Sequence, residues 1–467
     1  MTDSLFRRKT VSAETVGRDA LARTLSWPHL VALGVGAIVG TGILTLIGVG
    51  ADLAGPGVIL SFAIAGAICA CAALCYAEMA TMIPASGSAY TYSYAVLGEV
   101  IAWAVGWSLI LEYSLVVSTV AVGWSGYASP LLQGAFGFPA ALTQGPELGG
   151  VVNLPAVFII AVVAGLLCLG TKESATLNAL LVVVKVVALA VFVAVALPYF
   201  NGANLEPFMP YGFPKSVTPD GAERGVMAAA AIIFFAFYGF DAISTAAEET
   251  KNPGRDLAIG IVGSMVACVL IYMLVAVAAV GALSFARFAG SPEPLALILR
   301  ELGRPGVARF LALSAVIALP TVLLAFLFGQ SRIFFTMARD GLLPPGLARV
   351  SRRGTPVRIT MVTAVIVAVI AGLLPLGEIA ALANAGTLAA FVAVAVCVLV
   401  MRSRAPDAAR SFRTPLAWAV APAAVLGCLY LFWSLPSSTQ LYFGLWNLGG
   451  LLIYFLYARP RALAGRT

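Results

Sequence analysis

Three ionisable side chains stand inside long apolar runs of this 467-residue sequence, where water cannot stabilise their charges. Lys185 lies in the apolar run 181–187, roughly 15 Å along the axis from the start of its predicted helix. It is a candidate for a proton that is taken up and released, and a permanently paired lysine that holds helices together is the structural alternative. Glu112 and Asp241 are the carboxylates most clearly inside predicted helices. Either can pair with Lys185 or accept a proton, and the sequence does not choose between them.

Glycine spacing predicts that two of the helices are broken. Gly34, Gly36, Gly40 and Gly42 recur in one apolar run, and Gly239 stands among aromatic residues in another. A helix that opens inside a membrane exposes N–H groups and carbonyls, which must then line a protein cavity. The N–H groups suit a carboxylate and the carbonyls suit an ammonium. A zwitterionic α-amino acid is therefore the natural ligand of two such breaks, whereas glycines used only for close helix packing are the alternative.

The elements that must position these residues are transmembrane helices. The sequence is 61% hydrophobic and 10% charged, with a mean hydropathy of +0.98, far above that of a soluble protein. One crossing of the hydrocarbon core needs about 20 mainly apolar residues. Charged, proline-rich or glycine-rich segments divide the chain into twelve predicted spans, numbered in order: 28–50, 57–84, 97–127, 153–170, 175–198, 225–248, 258–283, 306–339, 357–374, 379–401, 415–435 and 441–459.

The distribution of basic residues predicts the topology. With the N-terminus inside, twenty of the 28 Lys and Arg residues fall in inside segments and six in outside segments, while Lys185 and Arg332 lie within spans. The positive-inside rule then predicts that both termini are cytoplasmic. We expect a retained cytoplasmic tail over residues 1–26, a short one over 460–467, and a multi-pass protein of the cell inner membrane.

Composition and motifs exclude most other classes of function. The formal charge of +7 is dispersed at helix ends, so no nucleic-acid partner is expected. One histidine, His29, and cysteines confined to apolar stretches supply no metal or redox site, and no cofactor is expected. No phosphate loop for ATP, no repeated channel filter and no convergent set of catalytic groups occurs. The sequence therefore favours a secondary transporter over an ion channel or an enzyme.

Motifs in order along nearly the whole chain resemble the amino acid–polyamine–organocation superfamily. Within it they are most similar to the cationic amino acid transporter family, including its bacterial proton-coupled members. The resemblance is carried by segments 36–43 (GAIVGTGI), 84–90 (PASGSAY), 234–241 (FFAFYGFD), 248–256 (EETKNPGRD), 329–332 (GQSR), 337–344 (MARDGLLP) and 384–388 (NAGTL).

The resemblance implies an all-α integral membrane fold of about 12 transmembrane helices. It would be a LeuT-like five-plus-five inverted repeat plus two helices. The first repeat would cover residues 27–200, the second 222–401, and the two added helices 412–459. Spans 1, 3, 6, 8 and 10 would surround the substrate, and the segment 248–256 would form a cytoplasmic loop.

The same resemblance assigns roles to individual residues. On the span 1 and span 6 sides, the substrate would meet Ile38, Gly40, Thr41, Gly42, Phe235, Ala236 and Tyr238. Phe326 in span 8 can border the substrate side chain, and its bulk favours small or medium neutral substrates. In proton-coupled relatives, a lysine at the place of Lys185 substitutes for a bound sodium ion and bridges spans 1, 5 and 8. Proton relay or contact with the substrate ammonium is the interpretation preferred for Glu112.

The function that follows is proton-coupled uptake of L-amino acids by alternating access. Amino acid exchange and transport of polyamines or other organic cations stay open, and an ion channel is a remote alternative. The expected partners are the L-amino acid substrate and membrane lipid, and the sequence does not decide whether a small membrane subunit joins them.

Overall fold

The computed structural model describes residues 6–9, 25–85, 87–169, 175–247, 250–344, 346 and 357–464. Most of the predicted N-terminal tail lies outside these ranges, as do Ser86, Glu248, Glu249, the end of the C-terminal tail and the side chain of Arg332. Motif assignments that fall on those positions remain sequence predictions.

The described part of the chain is almost entirely helical. Two short strands, Ser216–Val217 and Glu223–Arg224, pair antiparallel with Ser216 opposite Arg224. The helices are Trp27–Ile38, Thr41–Leu44, Leu46–Ala54, Val58–Met82, Ser88–Val96, Glu99–Phe136, Leu154–Leu169, Ala175–Ala196, Val226–Ile233, Asp241–Thr245, Pro253–Ala282, Pro294–Glu301, Pro305–Ala318, Pro320–Arg339, Val357–Leu373, Leu376–Arg404, Ala417–Ser434, Ser437–Ile453 and Arg459–Ala464.

Length and apolar composition identify the chain as a multi-pass membrane protein. Within the described ranges, nine helical stretches are long and apolar enough to cross a membrane. Three shorter apolar helices, Trp27–Ile38, Leu154–Cys168 and Val357–Leu373, fall where spans 1, 4 and 9 are predicted. The all-α membrane fold expected from the sequence is thereby confirmed, while the inverted repeat stays a prediction.

Several helices differ in extent from the predicted spans. Span 3 is the helix Glu99–Phe136, longer than predicted, and it ends where Gly137 adopts a left-handed conformation with φ of 61°. Span 8, predicted as one helix, is divided into Pro305–Ala318 and Pro320–Arg339. Pro320 explains the division, because proline has no N–H to continue the helical hydrogen-bond pattern.

The spans pack in two groups. In the first group, spans 1, 2, 6 and 7 lie against one another, with span 7 contacting both span 2 and the start of span 1. In the second group, spans 3, 4, 8, 9 and 10 lie together around the long helix of span 3. Span 5, the helix Ala175–Ala196, contacts spans 1 and 7 of the first group and span 8 of the second. A side chain of span 5 can therefore reach both groups.

Candidate functional site

Span 1 opens between Ile38 and Thr41. The helix Trp27–Ile38 ends there, Val39 and Gly40 leave helical geometry, and a new helix starts at Thr41. The carbonyl of Ile38, which no longer has a partner within its own helix, accepts a hydrogen bond of 2.8 Å from the Tyr272 hydroxyl of span 7. The break is thus held on one side by span 7.

Span 6 opens between Ala236 and Asp241. The helix Val226–Ile233 tightens into a single turn over Phe234–Ala236 and resumes at Asp241. Gly239 has φ of 122°, a conformation that residues with a side chain rarely adopt. Its N–H donates to Asp241 Oδ1 at 3.0 Å, so the carboxylate helps to fix the backbone at the break.

The two breaks touch each other. A Cβ atom added to Gly239 would lie 3.0 Å from the carbonyl carbon of Ala37 and 3.1 Å from the nitrogen of Ile38. A Cβ added to Gly42 would lie 2.3 Å from the Cα of Ala236. Gly42 therefore allows close helix packing, and the predicted residues Ile38, Gly42 and Ala236 meet at one junction.

Hydroxyl groups without hydrogen-bond partners are buried at this junction. Among the described residues, Thr41 Oγ1 and Thr45 Oγ1 of span 1 have no such partner, and Thr41 is fully buried. An unsatisfied buried polar group costs about 1–3 kcal/mol, so native structures retain few of them without a reason. A polar ligand at the junction would supply the missing partners.

Aromatic rings from three spans form a continuous wall beside the breaks. Phe235 and Tyr238 of span 6 meet edge to face with centroids 4.9 Å apart, and Tyr238 meets Phe326 of span 8 at 6.4 Å. Phe326 in turn lies 5.3 Å from Tyr113 of span 3. These four residues, called the aromatic wall below, bring together three predicted site residues and Tyr113, which the sequence analysis did not include.

Lys185 lies between the two groups of spans. Its ammonium donates to the Gly36 carbonyl of span 1 at 2.9 Å and to Thr321 Oγ1 of span 8 at 3.0 Å, and the side chain is 4% exposed. Thr321 follows Pro320 and donates its own hydroxyl to the Ala318 carbonyl at 2.7 Å. The lysine thus bridges a carbonyl near the span 1 break and the bend of span 8.

The two predicted carboxylates occupy different environments. Asp241 accepts hydrogen bonds from the Gly239 N–H and, at 2.9 Å, from the Tyr113 hydroxyl. Glu112 is 1% exposed, and neither of its carboxylate oxygens has a hydrogen-bond partner among the described residues. Its Cβ lies 3.1 Å from the position of a Cβ added to Gly386, so span 10 packs directly over it. A carboxylate in such a place is a candidate for carrying a proton.

The structure adds Asn384 to the residues around the breaks. Its amide donates to the carbonyls of Ala231 and Ile232 at 2.7 and 3.0 Å, which satisfies backbone groups near the point where span 6 departs from regular helix. The sequence signal was the polar Asn384 inside the NAGTL motif of an apolar span. Tyr113, Tyr272 and Thr321 had no comparable signal, because single tyrosines and threonines are common in membrane helices.

Comparisons with known proteins agree on one family. Residues 25–455 match a protein-family model described as "Amino acid permease". The chain is 44% identical to the branched-chain amino acid permease BcaP of Bacillus subtilis, over 99% of both chains. It is 41% identical to the methylthioribose transporter of the same organism, over 99% of this chain and 100% of that one. It is also 39% identical to the vacuolar cationic amino acid transporter 4 of Arabidopsis thaliana, over 87% of this chain and 68% of the relative.

Proposed function

Because this chain belongs to the amino acid permease family, we propose that it takes up L-amino acids by proton-coupled secondary transport with alternating access. The observation that carries the proposal is the junction of the span 1 and span 6 breaks, with the unpartnered Thr41 hydroxyl beside it. The substrate carboxylate binds N–H groups of one opened backbone and the ammonium binds carbonyls of the other. The chain acts as a transporter and not as an enzyme.

The substrate preference we propose is for neutral, branched aliphatic side chains. The aromatic wall offers an apolar surface to such a side chain, and two relatives of this chain are named branched-chain amino acid permeases. The substrate would contact Ile38, Gly40 and Thr41 from span 1 and Phe235 and Tyr238 from span 6, with Phe326 at the side-chain end. Gly42 and Ala236 form the backbone contact behind it.

The proposed coupling ion is a proton and not sodium. Lys185 connects span 1 to span 8 by its hydrogen bonds to Gly36 and Thr321, so loss of its proton would weaken the link between the two groups of spans. Glu112 is the second candidate for a proton site. Asp241, which accepts hydrogen bonds from Tyr113 and Gly239, is the third. The protein would work in the plasma membrane with both termini in the cytoplasm.

A binding screen followed by transport tests this function. Purified protein is measured by thermal shift against leucine, isoleucine, valine, alanine, arginine, a polyamine and methylthioribose. Every compound that binds is then assayed for uptake into proteoliposomes with and without an acid-outside pH gradient. We expect stabilisation by branched-chain amino acids and gradient-stimulated uptake of the same compounds.

The other outcomes are distinct. Methylthioribose lacks both the carboxylate and the ammonium of an amino acid. If it binds and no amino acid does, the proposed class of substrate is wrong. Tighter binding of arginine than of leucine would contradict the preference for neutral side chains. Uptake that requires an amino acid on the opposite side and ignores the pH gradient would identify an exchanger.

A further inference from the structure

Tyr113 links the aromatic wall to the backbone break of span 6. Its side chain, 1% exposed, lies in a slot between spans 3 and 8, where a Cβ added to Gly329 would come within 2.9 Å of the ring. The hydroxyl leaves this slot and donates to Asp241 Oδ2 in span 6 at 2.9 Å. One side chain thus contacts three spans.

Asp241 connects the Tyr113 hydroxyl to the backbone of span 6. The second oxygen of Asp241 accepts the Gly239 N–H, and Gly239 rests against Ala37 at the end of the first helix of span 1. A buried carboxylate fixed by two donors is oriented more tightly than one fixed by a single donor, because here each donor holds a different oxygen of Asp241. The hydroxyl of Tyr113 therefore bears on the geometry of both breaks.

The ring of Tyr113 belongs to the aromatic wall. It packs against Phe326, and Phe326 meets Tyr238 across the aromatic wall. Tyr113 also joins span 3 of the second group to span 6 of the first. In the proposed alternating access, these two groups move relative to each other.

We propose that Tyr113 is a positioning residue, which sets the geometry of the span 6 break through Asp241 and so tunes the binding of the amino and carboxylate groups of every substrate. This inference rests on the proposed function. It adds that the hydroxyl of Tyr113 acts on the span 6 break through Asp241, whichever side chain the substrate has.

The test is Tyr113→Phe, which retains the ring against Phe326 and removes only the hydroxyl. We expect KM for leucine, valine and alanine to rise by a similar factor, roughly 10-fold, with Vmax within about twofold of wild type. Tyr442→Phe, at a tyrosine of span 12 that is 56% exposed, is the matched control and should leave KM unchanged. Thermal unfolding of each variant verifies that it folds.

A double-mutant cycle distinguishes positioning through Asp241 from a local packing effect. If Tyr113 acts through Asp241, the double variant Tyr113→Phe, Asp241→Asn should have the same Kd for leucine, measured by thermal shift, as Asp241→Asn alone. An unchanged KM in Tyr113→Phe would overturn the inference, as would additive effects in the cycle. A change in the ratio of leucine to alanine KM would also overturn it, because that result means direct contact with the substrate. Failure of the proposed function is separate, since wild-type protein would then transport none of these amino acids.

Discussion

At the scale of single residues, polar side chains at the breaks replace hydrogen bonds that an unbroken helix would make with itself. Tyr272 satisfies the Ile38 carbonyl, and Asn384 satisfies two carbonyls of span 6. Lys185 does the same for Gly36 with a charged group. An unpaired carbonyl inside a membrane costs several kcal/mol. Each of these side chains therefore stabilises the open backbone within the membrane.

Lys185→Ala tests the coupling role of the lysine. The variant removes the donor to both Gly36 and Thr321, so we expect it to abolish uptake driven by an acid-outside gradient while substrate binding by thermal shift persists. Lys251→Ala, at an exposed lysine, is the matched control and should accumulate substrate as the wild type does. Accumulation by Lys185→Ala at the wild-type level would remove the coupling model.

At the scale of elements, the broken helices depend on glycine for two different reasons. Gly42 has no room for a side chain because the span 6 backbone lies against it, whereas Gly239 additionally needs a positive φ. Span 8 is divided by Pro320, and the Thr321 hydroxyl beside this proline accepts a hydrogen bond from the Lys185 ammonium. The interruptions of spans 6 and 8 thus each have an identifiable residue at the break, and Gly42 lets the span 1 segment after its break pack on span 6.

Gly239→Ala tests whether the span 6 break forms the site. The added methyl group meets the end of the first span 1 helix, and alanine is strained at φ of 122° by about 1–3 kcal/mol. We expect substrate affinity to fall at least about tenfold, measured by thermal shift over a range of leucine concentrations. In Gly444→Ala, where no atom lies within 4 Å of the added Cβ, affinity should not change. Wild-type affinity in Gly239→Ala would show that the break does not form the site.

At the scale of the whole molecule, the residues of the predicted site lie in the protein interior. Ile38, Thr41, Phe235, Tyr238 and Phe326 are each 5% exposed or less. On the side predicted to be cytoplasmic, the segment 6–9 has two contacts outside the spans. The Lys9 ammonium pairs with Asp340 after span 8 at 2.7 Å, and the Lys9 N–H donates to the carbonyl of Tyr94, before span 3, at 3.2 Å.

Tyr90 also contacts Asp340. Its hydroxyl donates to the second oxygen of Asp340 at 2.9 Å. Burial, with the Asp340 carboxylate beside it, raises the pKa of the Tyr90 hydroxyl well above its ordinary value, so the hydroxyl keeps its proton at neutral pH and remains a donor. The segment that precedes span 1 is therefore tied to the end of span 8 through Asp340.

Lys9→Ala tests whether this contact helps to close the side of the protein that is predicted to be cytoplasmic. An ion pair with one partner partly exposed contributes about 0.2–1 kcal/mol, so hydrogen exchange of the helix Ser88–Val96 should become about 1.5- to 5-fold faster. Mass spectrometry of the deuterated peptide measures this rate, with Lys251→Ala as the control. Unchanged exchange in Lys9→Ala would show that the tail does not hold this side closed.

The sequence by itself determined that the chain is an all-α membrane protein, approximately where its spans lie, and that spans 1 and 6 are interrupted. These properties depend on local composition, since hydropathy over about 20 residues and clustered glycines act within a single helix. The sequence also selected Lys185 and Asp241, because a charge inside an apolar run is conspicuous wherever the helix packs.

Only the tertiary structure decided what these residues contact. Tyr113 and Asp241 are 128 positions apart, and Lys185 and Gly36 are 149 apart. No local pattern specifies which of many tyrosines, threonines or backbone carbonyls will meet a given charge, because that depends on how the two groups of spans pack. The aromatic wall likewise exists only because spans 3, 6 and 8 converge, and this convergence gives the site its apolar end.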